Sequence, residues 1–178
     1  MRNFHNLIMR RSRGYTRRYT RRIKTVKYSN ETTNASGDFT IADGNQQLAL
    51  PLIAPSNVQG TRKCKNFELS LCGGNWTNTD ADGIPISWAL VYVPEGTQPG
   101  DIRQGALGTP ASLYEPAQNV IMSGIWPGNL TSNYKVKTRL ARNLNSGDSI
   151  FLVFRTSINQ PDGAQKSVVV NLNYAIAY

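Results

Sequence analysis

The chain has 178 residues, with 20 Lys or Arg against 11 Asp or Glu and a formal charge of +9. Its apolar residues come in short runs, which excludes a helix of the roughly 18 to 20 consecutive apolar residues needed to cross a membrane. Two cysteines, Cys64 and Cys72, cannot supply a disulfide framework for a chain of this length and fit a reducing compartment.

The charge sits at one end. Residues 1–27 hold ten basic side chains and no acidic one, while residues 28–178 hold the other ten against all eleven acids, a body near −1. The first 27 residues therefore read as a basic, flexible N-terminal arm, because a block of like charge repels itself until a polyanion neutralises it. The remainder, about 150 residues, is the usual size of one domain with one core.

Within the arm the tetrad YTRR occurs twice in tandem, at Tyr15–Arg18 and Tyr19–Arg22. Guanidinium groups fork onto phosphate oxygens, and tyrosine rings offer flat faces on which bases stack. Arg10, Arg11, Arg13, Tyr15, Arg17, Arg18, Tyr19, Arg21, Arg22, Lys24 and Lys27 are the candidate nucleic-acid contacts. The four-residue spacing aligns each repeated pair on one face of a helix or of an extended chain alike, so the arm's conformation stays open. A solvated tail, a nuclear address and a mitochondrial transit peptide share the Arg-rich, acid-poor composition. The apolar patch Asn6–Met9 is too short for a secretory signal, and without secretion the Asn-X-Ser/Thr sites at Asn30, Asn34, Asn75 and Asn129 are coincidental.

Along the body, strands are predicted at Ile23–Ser29, Asp38–Ala42, Gln47–Ile53, Phe67–Leu71, Ile86–Val93, Val120–Trp126, Tyr134–Leu140, Ser149–Thr156 and Val168–Ala177. Phe67, Leu69 and Leu71 alternate with Glu68 and Ser70, and Tyr134, Val136 and Thr138 alternate with Lys135, Lys137 and Arg139. This is the period of strands with one wet face. The runs Ala89–Val93, Ile150–Phe154 and Val168–Val170 are apolar on both faces, as central strands are. Trp88, Val91, Val93, Phe151, Val153 and their strand neighbours are expected to form the sandwich core. Turn sequences such as Asn145-Ser146-Gly147-Asp148 separate the runs, and no window has helical periodicity. The pattern predicts an all-β fold, a single jelly-roll β-sandwich of about eight strands. Pro94–Asn119, rich in Gly and Pro, exceeds ordinary loop length and reads as a surface-forming loop.

Catalytic chemistry finds little to stand on. The one histidine, His5, lies in the arm, so a Ser-His-Asp or Cys-His mechanism lacks its base, and Cys64 and Cys72 lack the paired spacing of a zinc site. Asn78, Asp80 and Asp82 with Gly83 resemble the first half of a calcium loop, but the position for its bidentate Glu is Ala89. Neither enzyme activity nor a cofactor is expected. The body's basic residues cluster as Arg62, Lys63, Lys65 and as Lys135, Lys137, Arg139, Arg142, either a second set of nucleic-acid contacts or a solvated strand face.

The segments SWALVYVPEGTQPGDI (Ser87–Ile102), SLYEPAQNVIMSG (Ser112–Gly124) and TRLARNLNSGDSIFLVF (Thr138–Phe154) resemble capsid proteins of circovirus-like, Rep-encoding circular single-stranded DNA viruses. The resemblance runs in order from about Gln59 onward. It implies self-assembly of about sixty copies into a small icosahedral T=1 shell, with the arm turned to a packaged single-stranded genome; the two basic clusters then either line the inner wall beside the arm or form a solvated strand face. It also implies a virion location with assembly in the host nucleus. Apolar loop segments Ala106–Gly108 and Ser112–Tyr114 are then expected under neighbouring subunits. The chain is shorter than circovirus capsid proteins proper, and coat proteins of small satellite RNA viruses share the layout, so DNA is favoured over RNA without excluding it. The alternative class is a cellular β-sandwich that binds single-stranded nucleic acid as a monomer through basic and aromatic residues spread over one sheet face.

Overall fold

Alternating strands pair into two four-stranded antiparallel sheets in the computed structural model, which describes residues 26–40, 47–78, 81, 83–100, 119–156 and 163–178. The strands are β1 (Ser29–Thr40), β2 (Gln47–Ile53), β3 (Arg62–Gly73), β4 (Ile86–Val93), β5 (Val120–Trp126), β6 (Tyr134–Leu144), β7 (Ser149–Thr156) and β8 (Gln165–Ala177). One sheet has the order β1-β8-β3-β6 and the other β2-β7-β4-β5. This interleaving, with β4 and β5 adjacent, is the jelly roll that the strand count predicts.

The core lies between the sheets. Ile86, Trp88 and Leu90 of β4 and Ile150, Leu152 and Phe154 of β7 point into it, and every one of the six is fully buried. Trp126 packs beside Phe154, with ring centroids 6.4 Å apart, and Tyr134 meets the Trp88 ring edge-on. Such offset and edge contacts suit the ring quadrupoles. Gly124 stands opposite Trp88 in the β4–β5 register, where a Cβ would come within 2.9 Å of the indole.

Three expectations about the body change. Ile23–Ser29 and Asp38–Ala42 were separate strands by apolar content. Instead, β1 runs unbroken through the polar Glu31–Asp38, because twelve positions pair with β8 and Glu31, Thr33, Ala35, Gly37 and Phe39 alternate inward. Pairing to a strong neighbour overrides a weak intrinsic signal. Residues 23–25, 41 and 42 lie outside the described residues, and 26–28 precede the strand. Val168–Val170 is apolar on both faces by sequence, yet Val169 is 47% exposed and only its neighbours enter the core. Finally, of the five residues named for the core Trp88 alone faces the other sheet, together with the strand neighbours Leu90 and Leu152. Val91, Val93 and Val153, with half-buried Phe151, form a second cluster that includes Ala89, on the opposite face of β2-β7-β4-β5. Strand alternation sorts them, since residues one apart point to opposite faces.

Two polar knots tie the loops to this frame. Asp148, in the β6–β7 turn, accepts hydrogen bonds from the Tyr92 hydroxyl (2.7 Å), the Asn145 amide (2.7 Å) and the Glu95 amide (3.1 Å). Burial first, and then the Asp148 contact, push the Tyr92 phenol up to about 12, so it stays a donor through neutral pH. At the other end, Lys166 is 1% exposed. Its Nζ donates to the carbonyls of Gly74 (2.6 Å) and Gly128 (2.8 Å) near the faces of Trp76 and Trp126. A buried ammonium is tolerable because it is hydrogen-bonded.

The cysteines are free and differ in kind. Cys64 is fully buried, and burial pushes its thiol up to about 11, whereas Cys72 is exposed. The thiolate is the reactive form. A chromogenic disulfide reagent at pH 8 is therefore expected to modify Cys72 in the native protein and to reach Cys64 only after denaturant is added. Two equally fast thiols would place Cys64 outside the core.

Candidate nucleic-acid interface

The outward face of β1-β8-β3-β6 is built by alternation. On β3 the residues between the core positions include Lys63, Lys65, Glu68 and Ser70, and on β6 they include Lys135 and Lys137. Antiparallel register sets them in transverse rows. Lys137, Glu68, Asn173 and Thr32 form one, and Lys135, Ser70, Asn171 and Asn34 the next. Within the first row Lys137 Nζ lies 3.0 Å from Glu68 Oε2, and the Thr32 hydroxyl donates to Asn173 Oδ1 at 2.6 Å. Both contacts are solvent-exposed, so the ion pair contributes little to stability, on the order of 0–1 kcal/mol. The face is thus polar and amide-rich, with lysines along one side.

Of the seven body residues proposed from sequence, the structure brings Lys63, Lys65, Lys135, Lys137 and Arg139 to this surface and separates the other two. Arg62 is 8% exposed and donates to the carbonyls of Asp148 (3.1 Å) and Ala54 (3.4 Å). Arg142, half-buried, donates to the Val120 carbonyl at 3.1 Å. Each is one strand position out of phase with the exposed lysines, so adjacency in sequence grouped residues that the pleat divides. Both guanidiniums tie loops and strands together instead of facing outward.

Of the arm's candidate contacts, Arg10, Arg11, Arg13, Tyr15, Arg17, Arg18, Tyr19, Arg21, Arg22 and Lys24 lie outside the described residues. Lys27 is described and exposed, and Tyr28 next to it carries Lys65 Nζ 3.6 Å from its ring centroid. Such a cation–π contact is worth about 0.5–1 kcal/mol at an exposed site. It ties the junction between arm and body to the lysine-bearing face. Sequence reading missed Tyr28, because nothing in its neighbours announces a partner 37 positions away.

A hollow of about 480 Å³ opens beside these lysines, lined by Asn66, Phe67, Glu68, Lys137, Thr138 and Arg139. It sits where both β3 pairings shift register, β3–β6 between Lys65 and Phe67 and β3–β8 between Lys65 and Glu68. Asn66 has φ 56°, the left-handed region that asparagine tolerates better than most residues. The spacing of core residues carried the signal. Cys64 to Phe67 is a step of three where Phe67, Leu69 and Leu71 step by two.

The opposite outer surface, on β2-β7-β4-β5, differs in chemistry. Its rows, read through the registers, are Gln47-Arg155-Ser87-Ile125, Ala49-Val153-Ala89-Ser123 and Pro51-Phe151-Val91-Val120. Arg155 is the one charged residue in those rows. The loop leaving β4 returns over this sheet as far as Gly100, whose carbonyl accepts from Gln47 Nε2 at 3.4 Å. The rest of the long loop, including Ala106–Gly108 and Ser112–Tyr114, lies outside the described residues.

Among the described residues no three His, Cys, Asp or Glu side chains gather as metal ligands. Asp80 and Asp82 of the calcium-like segment, and His5, are outside them.

No family model matches the chain, and no curated protein matches it. Among solved structures it is similar to the cyanophage Pam1 capsid asymmetric unit at 13% identity, over 98% of this chain and 96% of that one, with a TM-score of 0.44. It is also similar to Desmodium yellow mottle tymovirus at 10% identity, over 98% and 96% of the two chains, with a TM-score of 0.30. A structure of infectious bursal disease virus, Gx strain, matches at 9% identity over 85% of this chain and 36% of that one, with a TM-score of 0.34. None of the three assigns the chain to a family.

Proposed function

We propose that the chain is a viral capsid protein that self-assembles into a small icosahedral shell and packages a single-stranded genome through its arginine-rich arm. The observation that carries this reading is the division of the jelly roll into two unlike faces, with the arm joined to the basic one. Lys63, Lys65, Lys135, Lys137 and Arg139 share the surface onto which Tyr28 holds the start of the body. That surface is the shell's inner wall in this reading, and residues 1–27 supply most of the positive charge behind it. Sixty copies at a net +9 bring a net charge of about +540, which offsets only part of a genome longer than about a thousand nucleotides, so counterions complete the balance.

The protein is structural in this reading, acts in the virion, and assembles in the host nucleus around DNA in preference to RNA. A monomeric single-strand-binding domain would present a row of aromatic platforms along its groove. This face presents Asn171 and Asn173 of β8 beside its lysines instead.

The test is to express the full chain and the body alone, residues 28–178, and examine both by electron microscopy and sedimentation. The full chain is expected to form closed particles that carry nucleic acid. The body, at −1, is expected to fold and to bind nucleic acid weakly. A full chain that stays monomeric across salt and pH, with nucleic acid present, would overturn the capsid reading.

A further inference from the structure

We propose that the hollow at the β3 bulge is a base-reading subsite on the inner wall, which takes one nucleotide of the packaged strand and favours bases with an exocyclic amino group. This rests on the packaging reading above but adds a preference that a purely electrostatic arm does not have. Three features of the hollow converge on a nucleotide.

Its size comes first. The hollow is shallow and open to solvent, and its roughly 480 Å³ leaves room for a base to lie against the wall. Its shape is held by the fold, because the register shifts set Arg139 and Leu140 of β6 against the single residue Asn66 of β3. The fully buried Phe67 anchors that bulge to the core.

The polar groups are of two opposed kinds. Lys137 and Arg139 attract a phosphate, whereas Glu68, 3.0 Å from Lys137 Nζ, repels one. A bare backbone gains from only part of this set. A nucleotide uses all of it, with its phosphate toward Lys137 and Arg139 and its base edge toward Glu68 and the Asn66 amide. A carboxylate is an acceptor only and pairs with N–H groups. Cytosine N4, adenine N6 and guanine N2 each offer an amino group. Thymine offers none, and its O4 stands where cytosine carries the donor. Unstacked bases of a single strand offer their whole Watson–Crick edge, which base pairing occupies in a duplex.

The Asn66 side chain also suits such a role. Asn66 is exposed and lines the hollow, and its side-chain amide can both donate and accept.

The experiment compares binding of the full chain to oligo(dC) and oligo(dT) of equal length, by fluorescence anisotropy at one salt concentration and again across a salt series. The wild type is expected to bind oligo(dC) more tightly, on the order of fivefold. Glu68→Ala is expected to strengthen binding to both, since a like charge leaves the wall, while the ratio between them falls toward one. Asn66→Gly keeps the left-handed backbone without strain and is expected to lower the ratio without raising both affinities. Equal affinities in the wild type, with a steep salt dependence, would overturn the subsite and leave the packaging reading standing. A wild-type preference that survives both substitutions would do the same. Failure of the full chain to bind either oligonucleotide would overturn the packaging reading, and the subsite with it.

Discussion

Replacing Arg17, Arg18, Arg21 and Arg22 with alanine is expected to flatten the salt dependence of nucleic-acid binding more than any equal number of changes in the body. Each phosphate contact to a single strand contributes about 0.7 to the slope of log K against log salt, so four lost contacts lower its magnitude by up to about 2.8. The tandem repeat makes the arm's tyrosines a built-in contrast. Tyr15→Ala and Tyr19→Ala remove stacking faces without removing charge. They are expected to weaken binding by up to about 1 to 3 kcal/mol per base contact, with the slope nearly unchanged. Anisotropy titrations at four or more salt concentrations separate the two effects. An unchanged slope in the arginine variant would leave the arm as an address or spacer and shift the binding role to the wall lysines.

Those lysines show which parts of a candidate site a sequence reveals. Lys135, Lys137 and Arg139 were legible as one group because they alternate with Tyr134, Val136 and Thr138, and a period of two has a single structural meaning. Arg62 and Arg142 were not, since charge alone does not say which side of a strand a residue occupies, and their partners are backbone carbonyls of Asp148, Ala54 and Val120. Backbone acceptors carry no sequence signal. The hollow was hidden for a related reason. It depends on two register shifts at one residue, and register is a relation between strands far apart in the chain.

The fold was legible at the level of elements. Gln47–Ile53, Ile86–Val93, Val120–Trp126 and Ser149–Thr156 have the predicted bounds, because apolar content and flanking turn residues agree there. The middle of β1 escaped reading because its inward positions before Phe39 are Glu31, Thr33, Ala35 and Gly37. None is strongly apolar, and two of them serve special contacts. Glu31 accepts from the Tyr174 hydroxyl at 3.1 Å, and a Cβ on Gly37 would come within 3.0 Å of Leu50 in the facing sheet. Glycine there lets the two layers close, which is a reason that only the packed sandwich supplies.

The division between the two faces of β7 gives the second large effect. Phe154→Ala is expected to cost about 3 to 5 kcal/mol, since the ring is fully buried between the sheets against Trp126 and its removal leaves a cavity the rigid aromatic neighbours cannot fill. For a chain of this size that lowers the melting temperature by roughly 6 to 20 °C. Phe151, three positions earlier and on the outer cluster with Val91 and Val153, is half-buried. Phe151→Ala is expected to cost about 1 to 2 kcal/mol, because a ring already partly in water loses only part of its transfer free energy. The pair is best compared by urea denaturation at a salt concentration where the subunits are dissociated, so that shell contacts do not mask the difference. Equal losses would mean that the outer cluster is as dry as the core. A larger loss at Phe151 would reverse the assignment of the two faces of β7.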